Sequence, residues 1–297
     1  MKRILGLLSI TAVVIFWGIS FISASMILRV IDPVVLGFFR YVLAVIFVGV
    51  IVAVKRVDLR ITKADLFIFF LAGLLGIFLY SILENSALVY ISSAAASIFT
   101  ALTPMSIIVG NFLAFRERIS WKEMGLILIS IVGVFLVLYT DLKLAASFTE
   151  IIGYLLMFGS IISWTVYSLL TKKVSLKYNS LKVTVIQSVM ALILFIPTLF
   201  FFPLPNFAAF TGGDWANLLF LGVICSGACY FLYIYSVNSL GITIPNLFLN
   251  FIPIITILTN VIIFKTAIDI YQIIGGIIVT GSMSILTIHN LQKTKEA

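Results

Sequence analysis

Apolar stretches of about 18 to 25 residues recur from one end of the 297-residue chain to the other, each long enough to cross a bilayer as a helix. No other feature limits the fold as strongly. In lipid every backbone N–H and C=O must find its partner inside the protein, and runs of this length do so as helices. Composition agrees, with 62% of residues hydrophobic and 10% charged, where a soluble domain has roughly 45–50% and 25%. No segment is polar enough to form a separate soluble domain. The sequence therefore predicts an all-α polytopic membrane protein. Its opening, MKRILGLLSITAVVIFWGISFISAS, places Lys2 and Arg3 before an apolar core that is too long for a signal peptide and is followed at once by another span. It reads as an uncleaved first helix.

Charged and turn-forming residues divide the chain into ten expected spans, near residues 4–28, 33–54, 66–89, 92–115, 121–140, 150–171, 181–201, 214–237, 241–264 and 270–289. Ten spans put both termini on one side. With that side cytoplasmic, 15 of the 19 basic residues fall on inside segments. Only Arg29, Lys143 and Lys265 fall outside, and Arg40 lies within a span. Lys and Arg concentrate on cytoplasmic loops, so the expected location is the plasma or inner membrane with both termini in the cytoplasm. The net charge of +8 is then a topological signature. It sits on short loops and does not form the basic face that nucleic acid requires.

The two halves echo each other. A shift of 149 positions places Phe99 on Phe248, Pro104 on Pro253, Asn111 on Asn260, Phe115 on Phe264 and Arg116 on Lys265. A shift of 147 places Trp17 on Trp164, Arg40 on Gln187 and Ala44 on Ala191. Five spans per half make the halves run in opposite senses, so the expected architecture is two inverted five-helix repeats, 1–140 and 150–290. Proteins built this way commonly hold a solute near the midplane and alternate access by rocking.

The stretches NSALVYISSAAASIFTALTPMSIIVGNFLAFRERISWKEMGLILISIVGVFLV (85–137) and SVNSLGITIPNLFLNFIPIITILTNVIIFKTAIDIYQIIGGIIVTGSMSIL (236–286), with DPVVLGFFRYVLA and FWGISF, resemble the EamA-type branch of the drug/metabolite transporter superfamily. The resemblance covers nearly the whole chain. It implies an inner path enclosed by the first four helices of each half, with the fifth and tenth helices packed outside. It also implies ATP-independent export of amino acids or related metabolites. The glutamate the family carries after its fourth helix is Glu117 here, whereas its second-half counterpart is Thr266.

Ionisable groups inside a bilayer are costly and mark a pathway or a pair. Arg40 and Glu84 are the two found here, both expected in the outer half of the membrane. Either they pair with each other or Arg40 snorkels outward, or Arg40 receives a substrate carboxylate and Glu84 exchanges protons to couple transport. Trp17 with Ser20, Trp164 with Tyr167, Tyr80 with Glu84, and Tyr230 with Tyr233 put aromatic rings beside polar groups, a lining suited to an apolar or cationic solute. Asn246 and Asn250 share a face of span nine and Ser97 lies in the small-residue run ISSAAAS. Each offers a solute contact or a bond to a neighbouring helix. Asn111 and Asn260 lie near helix ends, where they tie helices together. Pro104 and Pro253 are expected to mark paired bends at which the halves flex.

Other chemistry is poorly supplied. Cys225 and Cys229 match neither a disulfide framework nor a zinc pattern, and the single histidine, His289, sits at a helix end. No metal or cofactor is expected, no phosphate-cradling loop appears, and no base, nucleophile and acid are gathered as an enzyme would need. The sequence thus points to a secondary transporter, monomeric or a homodimer, whose partners are the bilayer and a small solute. Multidrug or organic-cation efflux, metabolite import and a non-transporting scaffold are the alternatives.

Overall fold

The computed structural model describes residues 2–115, 119–145, 148–265 and 269–296. Glu117, Thr266 and Arg116 lie outside them, as does the side chain of Asn111. Among the described residues the chain is helical throughout, without strands. α1 (Lys2–Ile27) and α2 (Pro33–Val54) are followed by α3 (Lys63–Gly73), which passes through a π-helical turn, Leu74–Leu79, into α4 (Tyr80–Tyr90). Next come α5 (Ser93–Thr100), α6 (Thr103–Phe115), α7 (Trp121–Ala145), α8 (Phe148–Ser175) and α9 (Ser180–Phe195). α10 (Gly212–Leu219) continues through a second π segment, Phe220–Ala228, into α11 (Cys229–Leu240). α12 (Thr243–Leu249), α13 (Ile252–Phe264) and α14 (Ile270–Glu296) complete the chain. Among the described residues eight helical stretches, α12 and α13 together forming one of them, are long and apolar enough to cross a membrane, and counting the bent α5–α6 pair as one span gives nine.

Short polar residues set the helix starts. Asp32 accepts from the Val34 amide with Pro33 in the first turn, Ser92 accepts from Ala95, and Asn179 from Lys182. Ser120 and Glu123 exchange backbone and side-chain hydrogen bonds, as do Thr211 and Asp214, each satisfying two amides that the first turn leaves without partners. At the other end of α11, Gly241 takes a φ of +78°, a left-handed turn open to glycine, and reverses the chain into α12.

The packing is that of a membrane bundle. Large side chains such as Phe135 (64% exposed) and Ile262 (70%) face outward, while Ser, Thr and Asn are buried beside the aliphatic core. Lipid is as apolar as leucine, so helices associate through close backbone approach and interhelical hydrogen bonds. Both occur here. A Cβ on Gly275 of α14 would lie 2.5 Å from the Gly133 carbonyl of α7. Thr256 on α13 donates to the Gly18 carbonyl of α1 at 2.8 Å, and Asn260 donates to Ser93 at 3.2 Å, tying α13 to α5.

Two helices expected to be continuous are broken. The fourth expected span, 92–115, divides at Ala101–Leu102 with a 40° bend. The ninth, 241–264, divides at Asn250–Phe251. Both breaks stand just ahead of a proline, Pro104 and Pro253, and both are closed by tight i to i+3 bonds. Proline has no N–H for the carbonyl four residues back. In the first break that carbonyl, of Thr100, is taken instead by the Thr103 hydroxyl at 2.6 Å. The small-residue run becomes the cap and body of α5, with Ala94, Ala95, Ala96 and Ser97 all buried.

At one end of the bundle the loop before α3 meets the loop between α8 and α9. The buried Asp65 carboxylate accepts from Thr62, Lys177 and Tyr178, each at 2.8 Å. Lys182 donates to the Arg60 carbonyl at 2.7 Å. Hydrogen bonding to Asp65 holds the Lys177 ammonium above its ordinary range.

Candidate functional site

The cavity at the centre of the bundle is lined by Trp17, Ser20, Arg40, Tyr80, Glu84, Trp164 and Tyr230, together with Phe21, Thr100, Thr103, Ser160, Ile161, Leu249 and Ile252. Seven of the twelve candidate solute residues are thus brought together from five helices. Thr100 and Thr103 flank the first helix break, and Leu249 and Ile252 flank the second, so the cavity lies between the two breaks. It offers about 40 Å³ to the centres of water molecules, enough to hold ordered water.

Its aromatic side is one contiguous cluster. The Trp17 and Trp164 rings meet edge to face at 5.3 Å, Tyr230 packs against them at 5.5 and 6.0 Å, and Tyr80 lies 5.3 Å from Trp164. Edge-to-face contacts suit the ring quadrupoles and hold each ring in place. The Trp17 indole donates to the Cys225 carbonyl at 3.1 Å. That of Trp164 is buried and has no hydrogen-bond partner.

The two π segments explain how these rings are placed. A π turn widens the helix and is frequent at functional sites. Each segment here lends a carbonyl to a side chain from the other half of the chain: Leu75 accepts from Ser163, and Cys225 from Trp17. Gly76 lets the first segment lie against α8 so closely that a Cβ there would stand 2.0 Å from Tyr167. Sequence reading missed both segments. Their signal is the paired glycines, Gly73 with Gly76 and Gly222 with Gly227, in otherwise apolar helices.

Arg40 and Glu84 face the same cavity without forming an ion pair. The ion pairs among the described residues are Arg60–Asp58, Lys177–Asp65 and Lys182–Asp58. Arg40 is only 6% exposed, so it does not snorkel outward. Its Nε donates to Ser226 and its Nη1 to Asn85, both at 3.1 Å. Glu84 accepts a short hydrogen bond from Tyr80, one turn earlier on the same helix. A cation and a carboxyl group therefore share one small space, each held by uncharged partners.

The other five candidates lie outside the cavity lining. Ser97 donates to the Ala94 carbonyl within α5, and Tyr167 donates to Gln187 at 3.2 Å. The Tyr233 hydroxyl lies 3.4 Å from both Ser168 and Asn246. Asn250, in the second break, is fully buried with neither end of its amide bonded. Gln187, at the position matching Arg40, donates to Thr171 at 3.0 Å in a neutral cluster. The charge of the site comes entirely from the first half. Cys225 and Cys229 are buried free thiols, and the described residues contain no cluster of three His, Cys, Asp or Glu suited to a metal.

The EamA-like transporter family profile matches the chain twice, over residues 4–139 and 151–288. The chain belongs to the EamA-like transporter family. An uncharacterized transporter of Archaeoglobus fulgidus is 26% identical over 272 residues, covering 90% of this chain and 94% of its own. The uncharacterized transporter YetK of Bacillus subtilis is 21% identical, covering 98% and 89%. The uncharacterized inner membrane transporter YhbE of Escherichia coli K12 is 28% identical over about half of each chain. A crystal structure covering 97% of this chain and 99% of its own superposes with a TM-score of 0.67 at 18% identity, which shows a shared fold. The cavity between the helix breaks is accordingly the candidate solute site of an EamA-like transporter.

Proposed function

We propose that this EamA-like protein is a secondary transporter of the inner or plasma membrane that exports amino acids or related small metabolites by alternating access. The observation that carries the reading is the cavity in which Arg40 and Glu84 stand unpaired beside the partnerless Trp164 N–H. Buried charges and donors are costly unless matched. A solute with a carboxylate and an amino group matches them: the carboxylate meets Arg40 and the Trp164 indole, and the ammonium meets Glu84 and the faces of Trp17 and Tyr230. Organic-cation efflux is the second reading, favoured by Glu84 among aromatic rings and opposed by the Arg40 charge in the same space.

The architecture that goes with this function is ten spans in two inverted five-helix repeats, 1–140 and 150–290, with both termini cytoplasmic. Its supports are the double family match, the basic residues on alternate loops, and helix breaks 149 positions apart. Alternating access requires the helices around the cavity to part, and the breaks beside Pro104 and Pro253 are the hinges for that motion. Glu84, bonded to a single uncharged hydroxyl group, is the candidate proton carrier.

Counterflow into proteoliposomes with a mixture of amino acids, amines and other metabolites, read by mass spectrometry, tests the reading. Exchange of amino acids that carry both charged groups is expected, and exchange confined to amines overturns it in favour of cation efflux. If Glu84→Gln leaves pH-driven uptake intact, the proton role is removed.

A further inference from the structure

Arg40 lies in the same cavity as a carboxyl group and yet bonds elsewhere. In an apolar interior a guanidinium and a carboxylate attract strongly, so something must hold the arginine. Asn85 does so from an unusual position. It follows Glu84 directly in α4, is fully buried, and is committed at both ends. Its Oδ1 accepts from Arg40 Nη1 at 3.1 Å, and its Nδ2 donates to the Pro33 carbonyl at 3.1 Å. Pro33 begins α2, the helix that carries Arg40. The amide therefore bridges the start of α2 to a side chain two turns along it, with α4 as the anchor. Ser226, in the second π segment, takes Nε from another direction.

We infer that Asn85 is the positioning residue of the solute site: it holds Arg40 short of an ion pair with Glu84, so that one solute meets both a cation and a carboxyl group that have no direct charged partner. This rests on the reading of the cavity as a site for carboxylate-bearing solutes. Asparagine suits the task because it accepts from the guanidinium without cancelling its charge. An aspartate there would fix Arg40 as an ion pair, and an alanine would release it toward Glu84. Asn85 itself touches no solute.

The test uses the full-length protein in liposomes, with L-leucine and 3-methylbutylamine, the same skeleton without the carboxylate, as probes. Asn85→Asp, which fixes Arg40 as an ion pair and leaves Glu84 free, is expected to raise KM for leucine at least tenfold while leaving the amine close to wild type, whereas Asn85→Ala, which lets Arg40 clamp Glu84, is expected to raise KM for both. A purely structural role would instead impair both probes together in Asn85→Asp as well. A second readout needs no solute: labelling of Glu84 by dicyclohexylcarbodiimide, which spares a carboxylate clamped by a guanidinium. Glu84 should label in the wild type and in Asn85→Asp, label at least tenfold more slowly in Asn85→Ala, and recover in Asn85→Ala combined with Arg40→Met. Equal labelling of wild type and Asn85→Ala overturns the inference. So does a wild-type Glu84 that labels only after Arg40→Met. If neither leucine nor any other amino acid is transported while the labelling pattern holds, the solute reading has failed and the role of Asn85 stands.

Discussion

Gly76→Ala separates the effect of one methyl group from everything else in the site. The added Cβ would lie 2.0 Å from Tyr167 Cδ2, 2.2 Å from its Cγ and 2.3 Å from its Cβ. Ordinary contact begins near 3.4 Å, so the helices must part by more than 1 Å. Turning the tyrosine ring does not help, because its own Cβ is among the clashing atoms. Overpacking of this kind costs about 1–3 kcal/mol, occasionally more. At about 2–4 °C per kcal/mol for a chain of 150–250 residues, the thermal midpoint in detergent should fall by roughly 2–12 °C. Displacing α8 also displaces Trp164 and strains the Ser163–Leu75 bond, so tryptophan fluorescence should change in the folded variant. Gly49→Ala and Gly281→Ala are the controls, since a Cβ at either position meets nothing within 4 Å. They should be neutral, or stabilising by up to about 1 kcal/mol through the unfolded chain. A Gly76→Ala protein with the midpoint and fluorescence of its controls would refute the claim that this contact sets the position of α8.

Replacing Pro104 or Pro253 with Ala restores an amide to each break and lets the helix run through. Both variants should fold, and both should slow exchange between access states, read as turnover and as thiol-reagent accessibility on either side. Unchanged turnover and accessibility would remove the hinge role. The Asp65–Lys177 contact gives a pH dependence of definite sign: because the Lys177 ammonium is held above the ordinary lysine value of 10.5, its contribution is complete below that value and lost as pH rises through the raised one. Hydrogen-exchange protection of residues 176–182, corrected for intrinsic rates, should therefore stay level from pH 6 to about 10 and fall only beyond it. Asp65→Asn should remove part of that protection at neutral pH, and a loss already complete by pH 9 would contradict the assignment.

The helices were legible because bilayer crossing demands long apolar runs, and α2 begins and ends at the expected residues 33 and 54. The breaks in the fourth and ninth spans were legible only as bends, since proline shows that a carbonyl is released but not that the Thr103 hydroxyl recaptures it. The π segments left only their paired glycines as a signal, because their carbonyls are taken by side chains of the opposite half, Ser163 and Trp17, which no local pattern contains. The site divided along the same line. Trp17, Arg40, Tyr80, Glu84, Trp164 and Tyr230 were found because a charge or an aromatic ring stands out in an apolar helix. Tyr167, Tyr233 and Asn246 stand out equally, and only the packing directs them to one another and to Gln187. Asn85 gives no such signal, because a neutral amide beside Glu84 has no meaning until Pro33 and Arg40 are seen at its two ends.

Cys225 gives the cavity a clock. Its carbonyl holds the Trp17 indole, its thiol leans on the Phe16 carbonyl at 3.7 Å, and its surface is fully covered. Only one other thiol exists in the chain, Cys229, and it is covered too. Any motion that draws α1 off the second π segment uncovers sulfur in the unaltered protein. The rate at which a small alkylating reagent consumes that sulfur then counts the openings themselves, and a solute that holds the helices together will be recognised by the silence it imposes.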